Sequence, residues 1–336
     1  MVSRTKVWLE SRWRGTLIAV IIGAAALYVS EKYGGPAVLF ALLFGMAFHF
    51  LSEEKRTLGG IHFCATTVLR IGVALLGAKI SAEQLSLLSP ALLVVIVGGV
   101  FCTVIFGVII NKFFKWPTAE AALAGASTAI CGASAAIALA ATLNKSQLRE
   151  QALLAIVVVV TALSTLAMII YPSICSLLGY NNVDAGIFLG GTIHDVAQVV
   201  GAGAMIGPDC LEIASMTKML RVAMIIPMLI IFMFIFASKK HREAEEAAKP
   251  WYKNIPSFLI WFIVLAGLNV GGAIPTEVSN AMGEISRLFI LISIGALGLK
   301  TSLGKLKEVG WTPIILMTLD TFFLLFWVII GIAIIK

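Results

Sequence analysis

The chain has 336 residues, of which 60% are hydrophobic and only 13% are charged, and its formal net charge is +7. Soluble globular proteins carry about 25% charged residues. A water-soluble fold is therefore excluded, and a lipid bilayer must form part of the solvent of this chain. The positive charge does not indicate nucleic-acid binding, because the lysines and arginines lie in short loops between apolar runs and form no basic face.

The five cysteines and the N-terminus exclude two further classes. The cysteines are dispersed and include no C-x-x-C pair, so neither a disulfide framework nor a zinc site is indicated, and we expect no metal and no cofactor. A basic segment, Arg4–Arg14, precedes a long apolar run without a clear small-residue cleavage site. This pattern predicts a retained first membrane span rather than a cleaved signal peptide.

Eleven apolar runs follow one another along the chain, each near the roughly 20 residues that cross the hydrocarbon region of a bilayer. They cover residues 16–34, 36–51, 63–80, 90–110, 119–142, 150–178, 184–206, 217–237, 256–272, 284–300 and 311–335. Several prolines, such as Pro90 and Pro117, stand near the predicted helix starts, where the missing N–H of proline costs little. The sequence predicts an all-α polytopic membrane bundle of about 10–11 helices that forms one transporter domain over residues 1–336.

The distribution of lysine and arginine predicts that the N-terminus is cytoplasmic. With eleven spans, the inside segments hold Arg4 to Arg14, Lys55 and Arg56, Lys112 and Lys115, Lys239 to Arg242, and Lys305 and Lys307. Lys145 and Arg149 fall outside in this count and contradict it mildly. A re-entrant fifth element would place them inside and would reduce the number of spans to ten.

A short repeated motif suggests internal symmetry. L-G-A-K-I-S (76–81) closes the third run, L-G-L-K-T-S (297–302) closes the tenth, and a proline opens the next run in each case. The two copies cross the membrane in opposite senses, which predicts inverted repeats over about 36–178 and 184–335, an extra first span 16–34 and a cytoplasmic connector 238–255. Equally, L-G-x-K is a frequent helix ending in which lysine reaches the interface.

The first candidate segment is Gly125–Ala136, which is rich in small residues. Small residues permit close helix packing, and glycines also allow a helix to be interrupted, which leaves N–H groups that bind anions. A tightly packed helix whose hydroxyls bond back to carbonyls is the alternative. The predicted substrate-binding residues here are Ser127, Thr128, Cys131, Gly132 and Ser134.

The second candidate segment is Gly190–Gly203, which places His194, Asp195 and Gln198 inside an apolar run. An ionised aspartate at mid-bilayer costs at least about 2.5–3.5 kcal/mol, so intramembrane acids usually serve a function. His194 can change charge near neutral pH. We predict that Thr192, His194 and Gln198 bind substrate and that Asp195, with His194, carries the coupling proton or ion. A buried network that only fixes helix register is the alternative.

Other intramembrane polar residues are predicted to act as charge partners. Arg70 could balance an anion or Asp195, and Asp320 is expected to be a structural partner or to face a wet crevice. Lys79 and Lys300 close their runs, where snorkelling to the interface is the first interpretation and anion attraction the second.

Three stretches carry a resemblance to a known family: C-G-A-S-A-A (131–136), G-T-I-H-D-V-A-Q-V-V-G-A-G (191–203) and L-R-I-G-V-A-L-L-G-A-K-I-S (69–81). Over nearly its whole length the chain resembles the YeiH-type sulfate exporter family of bacterial inner-membrane proteins. The resemblance implies export of a sulfur oxyanion. The general plan is similar to the bile-acid/sodium symporter superfamily, which implies two inverted five-span repeats with broken, crossed helices.

The residue patterns predict a secondary transporter of a small anion. The resemblance implies sulfite or sulfate as the leading substrate and the bacterial inner membrane as the location. The expected partners are the anion and the lipid bilayer, and the coupling ion is H⁺ or Na⁺. The sequence is compatible with a homodimer. A sodium-coupled symporter of an organic anion is the alternative, with Asp195, Gln198 and freed carbonyls near Cys131 and Thr192 holding Na⁺. A membrane enzyme is disfavoured because no metal-ligand spacing or nucleophile motif is present, and a channel is disfavoured by the predicted broken helices.

Overall fold

A computed structural model describes residues 12–86, 89–143, 147–236, 256–301 and 309–335. All regular structure within these ranges is helical, which confirms the predicted all-α polytopic fold. Seven of the described helices are long and apolar enough to cross a membrane. The predicted connector 238–255, most of the N-terminal basic segment, Lys145, Ser302, Lys305 and Lys307 lie outside the described residues.

Fifteen α-helices are numbered here in chain order within the described ranges. They are α1 (Trp13–Tyr33), α2 (Ala37–Ala47), α3 (Lys55–Lys79, with a π-helical turn at Cys64–Val68), α4 (Ala82–Ser86), α5 (Pro90–Phe114), α6 (Thr118–Ala129), α7 (Ala133–Ala140), α8 (Glu150–Leu177), α9 (Asn182–Thr192), α10 (Val196–Ile206), α11 (Pro208–Ala223), α12 (Ile225–Phe236), α13 (Ser257–Val270), α14 (Thr276–Lys300) and α15 (Trp311–Ile335). Helices α11 and α12 form one long span, Pro208–Phe236.

The bundle has two distinct ends. Helices α1 and α3 start at one end, where Lys55 and Arg56 lie, and α14 finishes there, because Lys300 Nζ lies 3.1 Å from His62 Nδ1 of α3. Helix α5 also finishes at this end. We call it the basic end, and we call the end at which α3 finishes and α11 begins the opposite end.

Turn chemistry directs the chain into the first candidate segment. The Ser89 hydroxyl accepts a hydrogen bond from the Leu92 amide and Pro90 occupies the first turn, so α5 begins there. Helix α5 ends at Lys115, which adopts the left-handed conformation, and the Asn111 side chain bonds both polar atoms of the Trp116 backbone. This compact turn sends α6 back along α5, where Gly125 packs against the backbone at Val104.

Helices α6 and α7 form a re-entrant hairpin, which we call the first hairpin. The helix breaks at Ile130–Gly132, where Gly132 has a φ of 63°, a value that favours glycine. Glu120, at the start of α6, accepts hydrogen bonds from the backbone and guanidinium of Arg149, which immediately precedes α8. Both ends of the hairpin therefore meet at the basic end, and the segment does not cross the bundle.

Helices α9 and α10 form the second hairpin, which enters from the opposite end. Gly186 and Gly190 of α9 pack against successive turns of α11, whereas Gly203 near the end of α10 packs back against Leu211 near the start of α11. The two arms are therefore antiparallel. Asn182 at the first residue of α9 also lies 3.4 Å from Asp209 at the start of α11. The chain breaks at Ile193–Asp195, where extended backbone separates the arms.

The eleven predicted apolar runs thus all occur as helical segments, but the fifth and seventh enter and leave by one end each. The re-entrant alternative for the fifth run explains Arg149, which lies at the basic end with Lys112 and Lys115. Helix α3 pairs antiparallel with α14, and α5 pairs antiparallel with α15. This pairing fits the predicted inverted repeat, which stays a prediction.

Candidate functional site

The tips of the two hairpins meet in the middle of the bundle. We call Ile130–Gly132 the first tip and Ile193–Asp195 the second tip. His194 Nδ1 lies 3.0 Å from the Thr128 carbonyl oxygen, and Nε2 lies 3.0 Å from the Thr321 hydroxyl of α15. Because a carbonyl oxygen only accepts, Nδ1 carries a hydrogen. His194 is fully buried and ties both tips to α15.

Two buried cations of α11 bind the carbonyl ends of both first arms. Lys218 Nζ donates to Ile130, Ile193 and His194 carbonyl oxygens at 2.7, 2.9 and 2.5 Å. The Arg221 guanidinium donates to carbonyl oxygens of both hairpins, namely those of Thr128, Ala129, Gly190 and Ile193, at 2.7–3.1 Å. Both side chains are essentially inaccessible to solvent. The negative ends of the α6 and α9 dipoles are therefore compensated from within the protein.

The amide ends of both second arms face a cavity of about 370 Å³. Ala133 and Ser134 line it at the start of α7, and Asp195, Val196 and Ala197 line it at the start of α10. Asp195 occupies the N-cap position of α10, and its own amide donates to the Ser164 hydroxyl at 3.0 Å. The positive ends of two helix dipoles thus point into one space.

Basic side chains line the same cavity. Arg70 and His62 come from α3 and Lys300 comes from the end of α14. Arg70 forms no hydrogen bond or ion pair within the described residues. Asp195 is the one acidic side chain in the described lining of this cavity, so the basic side chains of Arg70 and Lys300 and two helix N-termini surround a single carboxylate.

The structure divides the predicted site residues into two groups. Ser134, Asp195, Arg70 and Lys300 line the cavity. The other predicted binding residues lie behind it, buried: Ser127, Thr128, Cys131, Gly132, Thr192, His194 and Gln198. The hydroxyls of Ser127, Thr128 and Thr192 donate to carbonyls of their own helices, as in the alternative interpretation of the first segment. The Gln198 amide lies 3.5 Å from the Thr165 hydroxyl.

Two predicted charge partners lie away from the cavity. Lys79 is at the opposite end, where its Nζ donates to Asn280 at 3.0 Å. Asp320 packs its carboxylate against Gly107 in the interior, and neither oxygen has a hydrogen-bond partner within the described residues. The expectation that Asp320 has a structural partner or faces a wet crevice is therefore not met by its surroundings.

Sequence reasoning missed Lys218 and Arg221, which organise both tips. Their signal was present, because T-K-M-L-R opens the eighth apolar run and places two cations one helical turn apart. A lysine at the start of an apolar run is typical of an anchor at the membrane interface. In the structure this helix begins earlier, at Pro208, which places Lys218 ten residues inside the span.

Comparison with known proteins identifies the family of this chain. The model of the family described as conserved hypothetical protein 698 matches residues 14–317. The UPF0324 membrane protein TauZ of Paracoccus pantotrophus is 45% identical over 324 residues, which cover 96% of this chain and 95% of the relative. TauZ of Paracoccus denitrificans and a UPF0324 membrane protein of Chlorobaculum tepidum are each 43% identical over 96% of this chain and cover 95% and 90% of those relatives. These matches confirm the family resemblance seen in the three motifs.

Proposed function

Because the chain belongs to the UPF0324 membrane protein family, whose motifs resemble a sulfate exporter family, we propose that it is a secondary transporter that exports a small sulfur oxyanion. Sulfite and sulfate are the leading substrates. In this proposal the protein works by alternating access in the bacterial inner membrane and performs no covalent chemistry. Its basic end is cytoplasmic, since cytoplasmic loops of membrane proteins are enriched in lysine and arginine.

The observation that carries this proposal is the separation of the helix ends at the two tips. Lys218 and Arg221 already bind the carbonyl ends, whereas the amide ends of α7 and α10 remain directed into the cavity. Arg70 and Lys300 add two positive charges on the same side. Helix N-termini and a guanidinium group match a tetrahedral or pyramidal oxyanion, which accepts several hydrogen bonds at once.

Asp195 gives the site its coupling group. Its carboxylate shares the cavity with the proposed anion, and two negative charges at such short range repel each other. Proton uptake by Asp195 would relieve this repulsion, so anion movement and proton movement are coupled. His194, which the sequence also suggested for coupling, is buried behind the tip with both ring nitrogens occupied, and we assign it to holding the two tips together.

Flux in proteoliposomes tests the proposal. Purified full-length protein would be reconstituted, and the flux of labelled sulfite, sulfate and a small sulfonate would be followed under an imposed pH or Na⁺ gradient. We expect saturable flux of at least one sulfur oxyanion that responds to the pH gradient. In Asp195→Asn, flux should become independent of the pH gradient, because the carboxyl proton is lost.

A matched control for Asp195→Asn is Asp209→Asn, which removes a carboxylate at the opposite end, outside the cavity lining. It should retain pH-driven flux. Absence of flux for every sulfur oxyanion would refute the substrate assignment, while pH-driven flux that Asp195→Asn leaves intact would refute the coupling role alone.

A further inference from the structure

The environment of Lys218 resembles a cation-binding site more than a salt bridge. Its ammonium group contacts three backbone carbonyl oxygens, of Ile130, Ile193 and His194, within 2.9 Å. It forms no ion pair with a carboxylate within the described residues. A buried ammonium group is costly in a membrane protein, and the three carbonyl dipoles around Lys218 offset that cost.

The carbonyl oxygens have a common origin. All three lie where a helix stops halfway through the bundle, so they carry the negative ends of the α6 and α9 dipoles and have lost their intrahelical hydrogen-bond donors. Unwound carbonyls at half-helix ends are the oxygen ligands with which interrupted-helix transporters hold Na⁺. Arg221 occupies the neighbouring carbonyls, so it confines the remaining site to the position of Lys218 Nζ.

We propose that the space at the crossing of the two tips is a monovalent-cation site that the Lys218 ammonium fills as a tethered cation. The wild-type protein therefore requires no sodium, which disfavours the sodium-coupled alternative for the proposed transporter. When the side chain at position 218 is too short to reach the carbonyls, the vacated site binds Na⁺. The inference extends the proposed function, but it concerns cation binding and holds for any transported anion.

Thermal stability of the purified full-length protein tests this site without a transport assay. Wild type, Lys218→Ala and Lys218→Met would be melted in sodium chloride and in choline chloride at equal ionic strength. Lys218→Ala opens the site, whereas Lys218→Met removes the same charge but fills the space with an apolar chain. Lys32→Ala, at an exposed position of α1, controls for loss of a surface lysine.

We expect a saturable, sodium-specific rise in the Tm of Lys218→Ala, because a ligand that binds only the folded state stabilises it. Wild type, Lys218→Met and Lys32→Ala should show no such rise. Equal melting of Lys218→Ala in both salts would overturn the proposal, and so would a sodium-specific rise in wild type. If Lys218→Ala does not yield folded protein in choline, recovery of folded protein in sodium supports the site, and failure in both salts while Lys218→Arg folds contradicts it.

These outcomes are independent of the anion assay. Sodium-dependent stability of Lys218→Ala without any anion flux would retain the cation site and reject the substrate. Anion flux without a sodium-specific rise in the Tm of Lys218→Ala would retain the substrate and reject the cation site.

Discussion

The two ends of the bundle offer very different access to the hairpin tips. The cavity at the basic end has a volume of about 370 Å³ and reaches Asp195, whereas a pocket at the opposite end has about 110 Å³ and includes neither tip. The same two helices line both spaces: α3 contributes Arg70 to the cavity and Lys79 to the pocket, and α14 contributes Lys300 and Asn280.

Polar contacts between helices close the pocket at the opposite end. Lys79 donates to Asn280 at 3.0 Å, and the Gln84 amide of α4 donates to Glu212 of α11 at 2.7 Å. At the basic end one polar contact joins the same two helices, between Lys300 of α14 and His62 of α3 at 3.1 Å, and Arg70 forms no hydrogen bond or ion pair within the described residues. The larger cavity therefore reaches the second tip from the basic end, whereas the smaller pocket reaches neither tip, and in the proposed transporter this difference corresponds to a site that is reached from the basic end.

The largest expected effect is the sidedness of the two ends. Single cysteines introduced as Lys112→Cys and Glu150→Cys flank the first hairpin at exposed positions, and Ser176→Cys lies at the far end of α8. An impermeant thiol reagent should label Lys112→Cys and Glu150→Cys only from the cytoplasmic side, and Ser176→Cys only from the other side. If the first hairpin crossed the membrane, Lys112→Cys and Glu150→Cys would label from different sides.

A second expected effect concerns the cation in the larger cavity. Arg70→Gln should raise the KM for the transported oxyanion roughly ten- to hundredfold, because a hydrogen bond to a charged group contributes about 1.5–3 kcal/mol. Flux against substrate concentration measures this. Arg56→Gln removes the same charge from an exposed position of the same helix outside the cavity lining and should leave KM unchanged. Equal KM values for the two variants would exclude a binding role for Arg70.

A third effect should loosen the smaller pocket. Gln84→Ala removes the hydrogen bond to Glu212, and a loss of about 1 kcal/mol shifts a two-state equilibrium about fivefold towards opening at that end. The reporter is a cysteine at Leu211, which is buried in the pocket wall. Its thiol should react faster in the Gln84→Ala background.

The matched control for this change is Ser86→Ala in the same short helix, because the Ser86 hydroxyl donates only to the Glu83 carbonyl within α4. The reactivity of the Leu211→Cys thiol should not change in this background. A rate that responds equally to Gln84→Ala and Ser86→Ala would show that α4 affects the pocket through its folding and not through the Glu212 contact.

The smallest expected effect concerns the contact between the second tip and α15. Thr321→Val removes the hydroxyl that contacts His194 Nε2, and loss of about 1 kcal/mol should lower the Tm by a few degrees. Thr321→Ser keeps the hydroxyl and should melt close to wild type. Transport by both variants should change less than in Arg70→Gln. A larger loss of flux in Thr321→Val than in Arg70→Gln would place His194 in the transport step itself.

Much of the architecture could be predicted from the sequence because helices that lie in a lipid bilayer must be long and apolar. Apolar length located every described helix except the short α4, although it placed the start of α11 at residue 217 and not at Pro208. The intramembrane Asp195 identified the second tip, since a carboxylate inside a bilayer usually serves a function. Glycines and small residues indicated that the first candidate segment could be interrupted. The observation that Arg149 conflicted with an eleven-span count was the one local sign of a re-entrant hairpin.

The tertiary structure alone decided which atoms face which side. Ser127 and Ser134 carry the same hydroxyl in the same segment, yet Ser127 bonds back to Leu123 and Ser134 lines the cavity, because the break at Gly132 rotates α7 away from α6. Lys218 stands at the start of an apolar run in the sequence, whereas in the structure α11 begins at Pro208 and Lys218 is buried ten residues further along. Composition determines that a segment enters the membrane. The partners of a buried charge come from other helices, and only helix packing decides that Lys218 meets the carbonyl ends while the starts of α7 and α10 line the cavity.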